Sequence, residues 1–416
     1  MATNERGNKP GNSDDVPERE RRQRVRDQVE IIKSRLGRHG DVQVANSTSD
    51  DDADFDYLYR GGHILVRDAD VRRVTNALGI DADSAVDGLV NGLTRLRLPD
   101  ELDVDAALDL LDAQVGVGVA SPDHVLYVTP KSTLCPATEP AVPSVLQPVP
   151  PVSAHTRDGS GVFVSVVDSG WVPAAASDPL TPWLAGVTGD EEDIDPDDIH
   201  PYAGHGTFIA GVVRCLAPSA QVRVEGFLTH GGAAFESEMI AQLTEALALG
   251  PDIISFSAGT TTRGNRPSIG FEVFYDNFLS QVKNTVFVAA AGNDGTREPF
   301  WPAAFPWAVS VGAIDATETR ASFSNFGSWV DVYALGVDLV NAYPRGTFVT
   351  REPPVIGEHR HFSGLARWSG TSFSTPVVAA HIAARMSRTG LSARHAADQI
   401  LAEARARAVP GVGPIS

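Results

Sequence analysis

Cysteine is nearly absent from this sequence, since only Cys135 and Cys215 occur among its 416 residues. Two cysteines in a chain of this length do not make a disulfide scaffold, although they could pair with each other or remain two free thiols. Neither cysteine lies in surroundings typical of a nucleophile. The sequence therefore excludes the class of small disulfide-stapled domains, and any chemistry has to come from other side chains.

Positive charge and long apolar runs are scarce as well. Lysine and arginine total 34 against 53 aspartates and glutamates, so the net charge of −19 disfavours binding to a phosphate backbone. No run of about 18 apolar residues is present to form a transmembrane helix. The N-terminus lacks the apolar core of a secretory signal. We therefore expect a soluble cytoplasmic protein without nucleic-acid or membrane partners.

Composition divides the chain into four segments. Residues 1–54 are polar and form a disordered or helical N-terminal extension, with a helical pattern over 17–36 and a solvated acidic linker after it. Residues 55–130 form a small α+β domain, and 131–158 form a proline-rich, extended linker. Residues 159–408 form the largest domain, and hydrophobic residues at 42% of the chain supply a sizeable core.

The segment 55–130 alternates strand and helix patterns. Strands are predicted at Tyr57–Val66, Leu89–Leu98 and His124–Thr129. A helix is predicted at Asp68–Leu78, and Asp103 caps a second one. This β-α-β-α-β order is typical of a small α+β sandwich.

The segment 159–408 alternates continuous apolar strands with helices. The predicted strands are Val162–Val167, Val222–Phe227, Ile253–Phe256, Val286–Ala290 and Val309–Val311, and the predicted helices are Thr207–Leu216, Glu238–Leu249 and Ser374–Arg388. Continuous apolar strands between helices indicate an α/β fold, a doubly wound and mainly parallel sheet with helices on both faces. Such sheets carry their active sites at the carboxyl ends of the strands.

The run VFVSVVDSG at 162–170 places an aspartate directly after a buried strand. Asp168 is followed by Ser169 and Gly170. A carboxylate in this position costs free energy unless a neighbouring group uses its charge. A turn-forming aspartate after a strand is the commoner case, so Asp168 alone does not indicate a catalytic role.

The run YAGHGTFIAGVV at 202–213 places a histidine between two glycines at the start of an apolar helix. His205 has small neighbours that leave both ring nitrogens accessible. A histidine there can act as a general base at neutral pH. A structural histidine in a glycine turn is the alternative, but it does not explain the small pair Ala210 and Gly211 within the helix.

The run WSGTSFSTPVVAAHIAA at 368–384 places a serine at the start of a long apolar helix. The free N–H groups and the positive dipole of a helix N-terminus would stabilise an oxyanion beside Ser372. Pro376 fits a first helical turn. The alternative is a plain serine or threonine helix cap, which is also common.

The run VFVAAAGNDG at 286–295 is a strand that ends in Ala-Gly-Asn. Asn293 could donate its side-chain amide to a tetrahedral oxyanion. An Asn-Asp-Gly turn without function is the alternative.

Together these four blocks resemble the subtilisin-like serine proteases. The motifs DSG, GHGT-x-x-AG, AAGN and GTS-x-STP occur in the family's order, and the resemblance covers about 160–390. It implies that Ser372 attacks the scissile carbonyl, that His205 takes and returns the proton, and that Asp168 orients the imidazole. It also implies an oxyanion hole that contains Asn293.

The resemblance implies substrate-binding positions as well. Ser257, Ala258 and Gly259 would pair with the substrate backbone by strand addition. The pocket for the residue before the cut would be lined by Ala290, Ala291 and Gly292, with Asp294 at its rim. An acid at that rim would help to accept lysine or arginine. The second flanking strand, near 228–232, does not align and stays open.

By the same resemblance, the segment 55–130 is similar to the propeptide of this family. It precedes the linker and ends in the strand HVLYVT, although one strand of the family pattern finds room only at 80–90. A propeptide would act as an intramolecular inhibitor that lays its tail in the cleft. An unrelated accessory domain is the alternative, and a cleavage site would fall within the accessible stretch 130–155.

Metal ligands and cofactors are not evident, although family members often bind calcium. The acidic run consists of Asp190, Glu191, Glu192, Asp193, Asp195, Asp197 and Asp198. It lacks the spacing of an EF-hand and is predicted to be a solvated loop. His359 and His361 have no third ligand in view and are interpreted as loop histidines. We expect no cofactor, with calcium possible but not assignable to residues.

Two other functions are alternatives to a serine endopeptidase. A catalytically silent binding module could keep the same fold, but all three triad residues and Asn293 are present. An esterase on an α/β-hydrolase sheet would need G-x-S-x-G and the order serine, acid, histidine. Here the serine comes last and stands in GTSFS, which speaks against such an esterase. An endopeptidase would act on a protein or peptide substrate.

Overall fold

A computed structural model describes residues 18–37, 40–46, 55–81, 86–128, 137–144, 150, 152–228, 232–352 and 355–416. None of the helices within these ranges combines the length and apolar character that a bilayer crossing requires. Cys135 lies outside the described residues. Cys215 is a buried free thiol, and burial raises its pKa to about 12, so it is protonated and unreactive at neutral pH.

The N-terminal part contains helices and an antiparallel sheet. Its elements are α1 (Glu18–Leu36), β1 (Val42–Ala45), β2 (Tyr57–Arg67), α2 (Val71–Leu78), β3 (Val86–Val90), β4 (Leu93–Arg97), α3 (Val104–Gln114) and β5 (Ala120–Tyr127). Strand β2 pairs with β1, β4 and β5, and β3 pairs with β4. Asp103 caps α3, because its carboxylate accepts hydrogen bonds from the N–H groups of Asp105 and Ala106.

Two details of this part differ from the sequence prediction. The pattern over 89–98 predicts one strand, whereas the structure has the hairpin β3–β4. The turn contains Asn91 and Gly92, and Gly92 has a φ of +97° that suits glycine. The predicted acidic linker after α1 contains β1, whose four residues are too few to give a strand periodicity.

The larger domain is built on a parallel sheet. Its elements are β6 (Phe163–Asp168), β7 (Thr188–Gly189), α4 (His205–Leu216), β8 (Gln221–Gly226), β9 (Ala233–Phe235), α5 (Glu236–Ala248), β10 (Ile253–Phe256), α6 (Ile269–Asn277), β11 (Val286–Ala290), β12 (Ala308–Ile314), β13 (Val332–Leu335), β14 (Leu339–Val349), β15 (His359–Trp368), α7 (Thr371–Thr389) and α8 (Ala393–Ala406). Seven strands follow the order β13-β12-β11-β10-β6-β8-β7, and all neighbours are parallel. Strands β14 and β15 form a separate antiparallel ribbon.

Helices cover both faces of the seven-stranded sheet. One face packs on α4, α7 and α8, which contribute side chains such as Phe208, Val378 and Ile400. The other face packs on α5 and α6 through residues such as Ile240 and Phe271. The predicted doubly wound α/β fold is therefore confirmed, and the continuous apolar strands are explained by burial on two sides.

The N-terminal sheet docks on the outside of α5 and α6. Leu65, Leu93 and Leu126 share one apolar core with these two helices. Strand β5 also pairs antiparallel with β9 of the larger domain, so the small sheet continues across the boundary. This docking carries the end of β5 to the carboxyl edge of the parallel sheet.

Candidate active site

Asp168 and His205 form a buried pair at the carboxyl edge of the parallel sheet. Asp168 is the last residue of β6, and His205 is the first residue of α4. His205 Nδ1 lies 2.7 Å from Asp168 Oδ1, and the two side chains are 1% and 0% exposed. With Nδ1 donating to the carboxylate, Nε2 is left as the ring nitrogen that can accept a proton.

Small residues allow α4 to begin so close to β6. Gly204 has a φ of +75°, which glycine adopts without strain. A Cβ on Gly206 would overlap the Gly170 carbonyl oxygen and would lie 3.1 Å from Val224 Cγ1. The glycines on either side of His205 are therefore required by the turn and by the close approach of backbone to backbone.

Ser372 lies in the first turn of α7, which begins at Thr371 rather than at the predicted residue 374. Pro376 is consequently inside the helix, where it offers no N–H to the Ser372 carbonyl four residues earlier. That carbonyl instead accepts a hydrogen bond from Ser257 Oγ at 3.1 Å. The proline thus leaves free a carbonyl oxygen that links Ser372 to the segment 257–259 after β10.

Asn293 is held with its amide oxygen turned towards α7. Its Oδ1 accepts hydrogen bonds from Thr371 N–H at 2.8 Å and from Thr371 Oγ1 at 2.9 Å. Thr371 Oγ1 in turn accepts the Gly292 N–H at 3.2 Å. Because the oxygen is occupied, the amide NH₂ of Asn293 is the group left to donate to a ligand beside Ser372.

Aromatic rings enclose His205 and link it to α7. The His205 ring centroid lies 5.3 Å from that of Phe373, the residue after Ser372, and 5.7 Å from that of Trp368. Ser372 Oγ and His205 Nε2 are both buried and form no hydrogen bond with any other described residue. The contact between His205 and Phe373 therefore brings the histidine and the first turn of α7 into the same enclosed region.

The end of β5 pairs with the segment 257–259, in which Ser257 contacts Ser372. Tyr127 and Gly259 exchange backbone hydrogen bonds of 2.9 and 3.1 Å, and Val128 N–H donates to Gly232 O at 3.1 Å. The end of β5 is thus paired on both sides, with Gly259 on one side and with Gly232 and β9 on the other. Residues 232–235 thus flank the end of β5 on the side opposite Gly259.

The structure brings the predicted substrate-binding residues to this one region. Ser257, Ala258 and Gly259 follow β10, and Ala290 ends β11. Ala291 N–H bonds to Val311 O, and Asn325 N–H bonds to Gly292 O. Asp294 is half-buried, and its N–H donates to Asn325 Oδ1 at 3.0 Å.

Several residues that shape the site had no role predicted for them from the sequence. Thr371 and Asn325 act through hydrogen bonds between segments that are far apart in the chain. Glu192 belongs to the predicted solvated loop, but its side chain is only 6% exposed and accepts the Gly204 N–H at 2.9 Å. Burial, together with the nearby charge of Asp168, raises the pKa of Glu192 well above its usual range. A charged run in a sequence does not reveal which of its members turns inward.

The other members of the acidic run are exposed. Within the described ranges, no group of three or more His, Cys, Asp or Glu side chains is arranged to hold a metal ion. His359 and His361 are exposed residues of β15 rather than of a loop, and His361 Nδ1 lies 3.0 Å from Thr347 Oγ1.

The fold and site together define a doubly wound α/β protein with a serine, a histidine and an aspartate at one edge of its sheet. A family model described as the subtilase family matches residues 159–412. The thermophilic serine proteinase of Bacillus sp. (strain AK1) is 30% identical over 260 residues, which are 59% of this chain and 57% of that protein. Subtilisin NAT of Bacillus subtilis subsp. natto is 29% identical over 303 residues, which are 68% of this chain and 71% of that protein.

A solved structure extends the similarity of fold. Fervidolysin from Fervidobacterium pennivorans, a keratinolytic enzyme related to subtilisin, matches with a TM-score of 0.54 at 18% identity and covers 84% of this chain and 58% of that one. The chain belongs to the subtilase family. The serine proteases of this family are hydrolases that act as endopeptidases.

Proposed function

We propose that this chain is a serine endopeptidase that uses Asp168, His205, Ser372 and Asn293, and that its own N-terminal domain inhibits it. The observation that carries the catalytic part is the buried contact of 2.7 Å between Asp168 and His205 beside a serine in the first turn of a helix. The occupied cleft supports the inhibitory part.

The geometry suits acyl transfer. Ser372 Oγ attacks the scissile carbonyl while His205 Nε2 accepts its proton, and Asp168 stabilises the imidazolium that forms. The negative charge that develops on the carbonyl oxygen lies at the N-terminus of α7, where the Asn293 amide can donate to it. His205 then returns the proton to the leaving amine, and water hydrolyses the acyl-enzyme by the same route.

Inhibition follows from the way in which β5 occupies the cleft. A peptide strand between Gly259 and Gly232 makes the main-chain hydrogen bonds that an incoming substrate would need. The predicted propeptide-like domain, residues 55–130, is further held by buried polar pairs with the start of α5. Asp123 accepts from Ser237 Oγ at 2.7 Å, and His124 Nδ1 lies 2.8 Å from Glu236 Oε2. A substrate therefore competes with a strand that is already tethered in place.

Mass spectrometry of the purified wild type beside Ser372→Ala tests the proposal. We expect a cut within 130–155 in the wild type and an intact chain in the variant, because only an active serine can process its own linker. Cleavage of both proteins at the same bond would show that another protease made the cut and would contradict self-processing.

A catalytically silent binding module is the second candidate, and the N-terminal strand in the cleft is compatible with it. The two candidates differ at Ser372, because a silent module would leave this serine unreactive. A wild type that stays intact and hydrolyses no peptide, even when the cleft has been freed as described below, would favour the silent module.

Replacing Asn293 tests the oxyanion contact. We expect Asn293→Ala to lower kcat by about 10²–10³-fold with a small change in KM, the range typical of removing one oxyanion donor from a serine protease. Steady-state kinetics on a chromogenic peptide measures this. Asn325→Ala is a matched control, because Asn325 supports the same loop without reaching Ser372. A folded Asn293→Ala protein whose kcat stays within about threefold of the wild type would contradict a direct role for Asn293.

Replacing Leu126 tests inhibition without altering the triad. Leu126 pairs with Ala234 and is fully buried in the apolar core at the domain contact. A carboxylate there has no partner, so Leu126→Asp should release the strand and raise the initial rate on a small peptide about tenfold or more. Leu126→Met preserves the volume and should leave the rate unchanged. Equal initial rates for wild type and Leu126→Asp, with both proteins folded, would contradict inhibition by this strand.

A further inference from the structure

The ring of Phe300 fills a crevice between two glycines beside the candidate catalytic serine. A Cβ placed on Gly259 would lie 2.7 Å from Phe300 Cδ1, and one placed on Gly292 would lie 3.0 Å from the same ring atom. Real Cβ atoms do not approach a ring so closely, so both positions tolerate only a hydrogen. Phe300 itself is 4% exposed. The ring is therefore packed between the segment 257–259 and the segment 290–292.

Backbone hydrogen bonds hold Phe300 in this position. Thr260, which follows Gly259, and Trp301, which follows Phe300, exchange two hydrogen bonds of 2.9 Å each. Ala304 N–H also donates to Phe300 O at 2.9 Å. The ring thus belongs to a folded wall of the cleft and not to a loose loop.

The register of the occupying strand shows which substrate side chain would meet this wall. Tyr127 lies opposite Gly259, and its ring centroid is 6.1 Å from that of Phe300. Side chains two positions apart in a strand point to the same face. In a substrate bound in the same register, the residue two positions further would lie opposite Ser257. Ser257 Oγ donates a hydrogen bond to Ser372 O. The substrate residue opposite Ser257 would therefore lie next to Ser372, which makes it the residue before the cut.

The side chain before the cut would therefore point to the face on which Phe300 lies. This side chain would enter between the segments 257–259 and 290–292, and the Phe300 ring would close the inner end of the pocket. Asp294 follows Gly292 by two residues. From the sequence alone, an acid at this rim was expected to help accept a lysine or arginine before the cut. A long cationic stem needs depth before its head can reach a carboxylate, and the ring of Phe300 occupies that depth.

We infer that Phe300 determines specificity in this cleft and limits the residue before the cut to a small side chain such as glycine, alanine or serine. The inference rests on the proposed endopeptidase function, since it concerns the substrates of Ser372.

The size of the effect follows from the volume of the ring. One methylene group changes discrimination by a hydrophobic pocket about 10–200-fold. A wild-type preference for alanine over phenylalanine of about tenfold or more is therefore expected. Phe300→Gly should reverse it and change the ratio about 10²-fold or more. Phe300→Leu keeps much of the bulk and should change the ratio least, which separates a size effect from general disruption.

Two peptidyl diphenyl phosphonates, identical except for alanine or phenylalanine before the phosphorus, measure the ratio. Each forms a covalent bond with a reactive serine, and mass spectrometry confirms that the bond is to Ser372. The strand of β5 competes equally with both probes, so the ratio of inactivation rates does not depend on it. Thermal unfolding of each variant shows that it is folded.

A small alkyl fluorophosphonate, which carries no peptide side chain, separates the two possible failures. If it leaves Ser372 unlabelled in both the wild type and folded Leu126→Asp, in which the strand is released, the proposed function fails and the inference falls with it. If it labels Ser372 but the wild type reacts with the phenylalanine probe as fast as with the alanine probe, only the inference about Phe300 is overturned. An unchanged ratio in folded Phe300→Gly would overturn it as well.

Discussion

Ser372→Ala is expected to lower kcat on a peptide substrate by about 10⁶-fold, the loss typical of removing the nucleophile of a triad. The remaining rate would come from substrate binding and the oxyanion donors alone, because no hydroxyl is left to form the acyl-enzyme. KM should change little, since Ser372 binds substrate weakly before attack. Single-turnover and steady-state kinetics with a chromogenic peptide give both constants.

Ser374→Ala is the matched control for this substitution. Ser374 lies two residues further along the same helix, is buried, and donates its hydroxyl to Thr371 O at 3.0 Å. The control therefore loses a buried serine hydroxyl from the same turn without touching the reactive atom. A folded Ser372→Ala protein that keeps more than about one hundredth of the wild-type kcat would contradict the assignment of the nucleophile.

Asp168→Asn is expected to lower kcat by about 10⁴-fold. The asparagine can donate its amide to His205 Nδ1, which would place the ring proton on Nε2 and prevent this atom from accepting the proton of Ser372. The geometry of the pair would be kept while the tautomer becomes wrong. Steady-state kinetics should show the loss in kcat, with KM nearly unchanged.

Asp190→Asn provides the control for this loss of charge. Asp190 is exposed and accepts the Gly226 N–H at 3.0 Å through Oδ2, a bond that an asparagine oxygen can also accept. Its kcat should stay near that of the wild type. Activity of Asp168→Asn within tenfold of the wild type would show that the buried carboxylate is not needed to orient His205.

The sequence predicted the larger domain well because its signals are local and redundant. Periodicity, glycine positions and the resemblance to a known family all predicted a strand just before Asp168 and a helix just after His205. The structure has these elements, shifted by one or two residues. Ile253–Phe256 and Val286–Ala290 occur with the predicted bounds. Strands that are buried on both faces are apolar at every position, so they are easily recognised in a sequence. The four motifs lie near the carboxyl ends of such strands or at the helices that follow.

Contacts between distant segments were beyond the reach of the sequence. Strand β1 becomes a strand only because β2 offers an open edge, and β9 has only three residues. The docking of Leu126 against α5 and α6, and the position of Phe300 between two glycines, depend on three-dimensional packing. The candidate catalytic residues could be predicted one by one, whereas the depth of the pocket and the occupied cleft could not.

The most direct test compares the rates at which a fluorophosphonate inactivates the wild type and His205→Ala. It asks whether the segments that contain Asp168, His205, Asn293 and Ser372 together make this serine reactive. Peptide mapping should find the label on Ser372 in the wild type, and the second-order rate should fall at least about 100-fold in a folded His205→Ala protein, because Nε2 no longer accepts the serine proton. Equal rates in the two proteins, or a label on a different serine, would contradict the account.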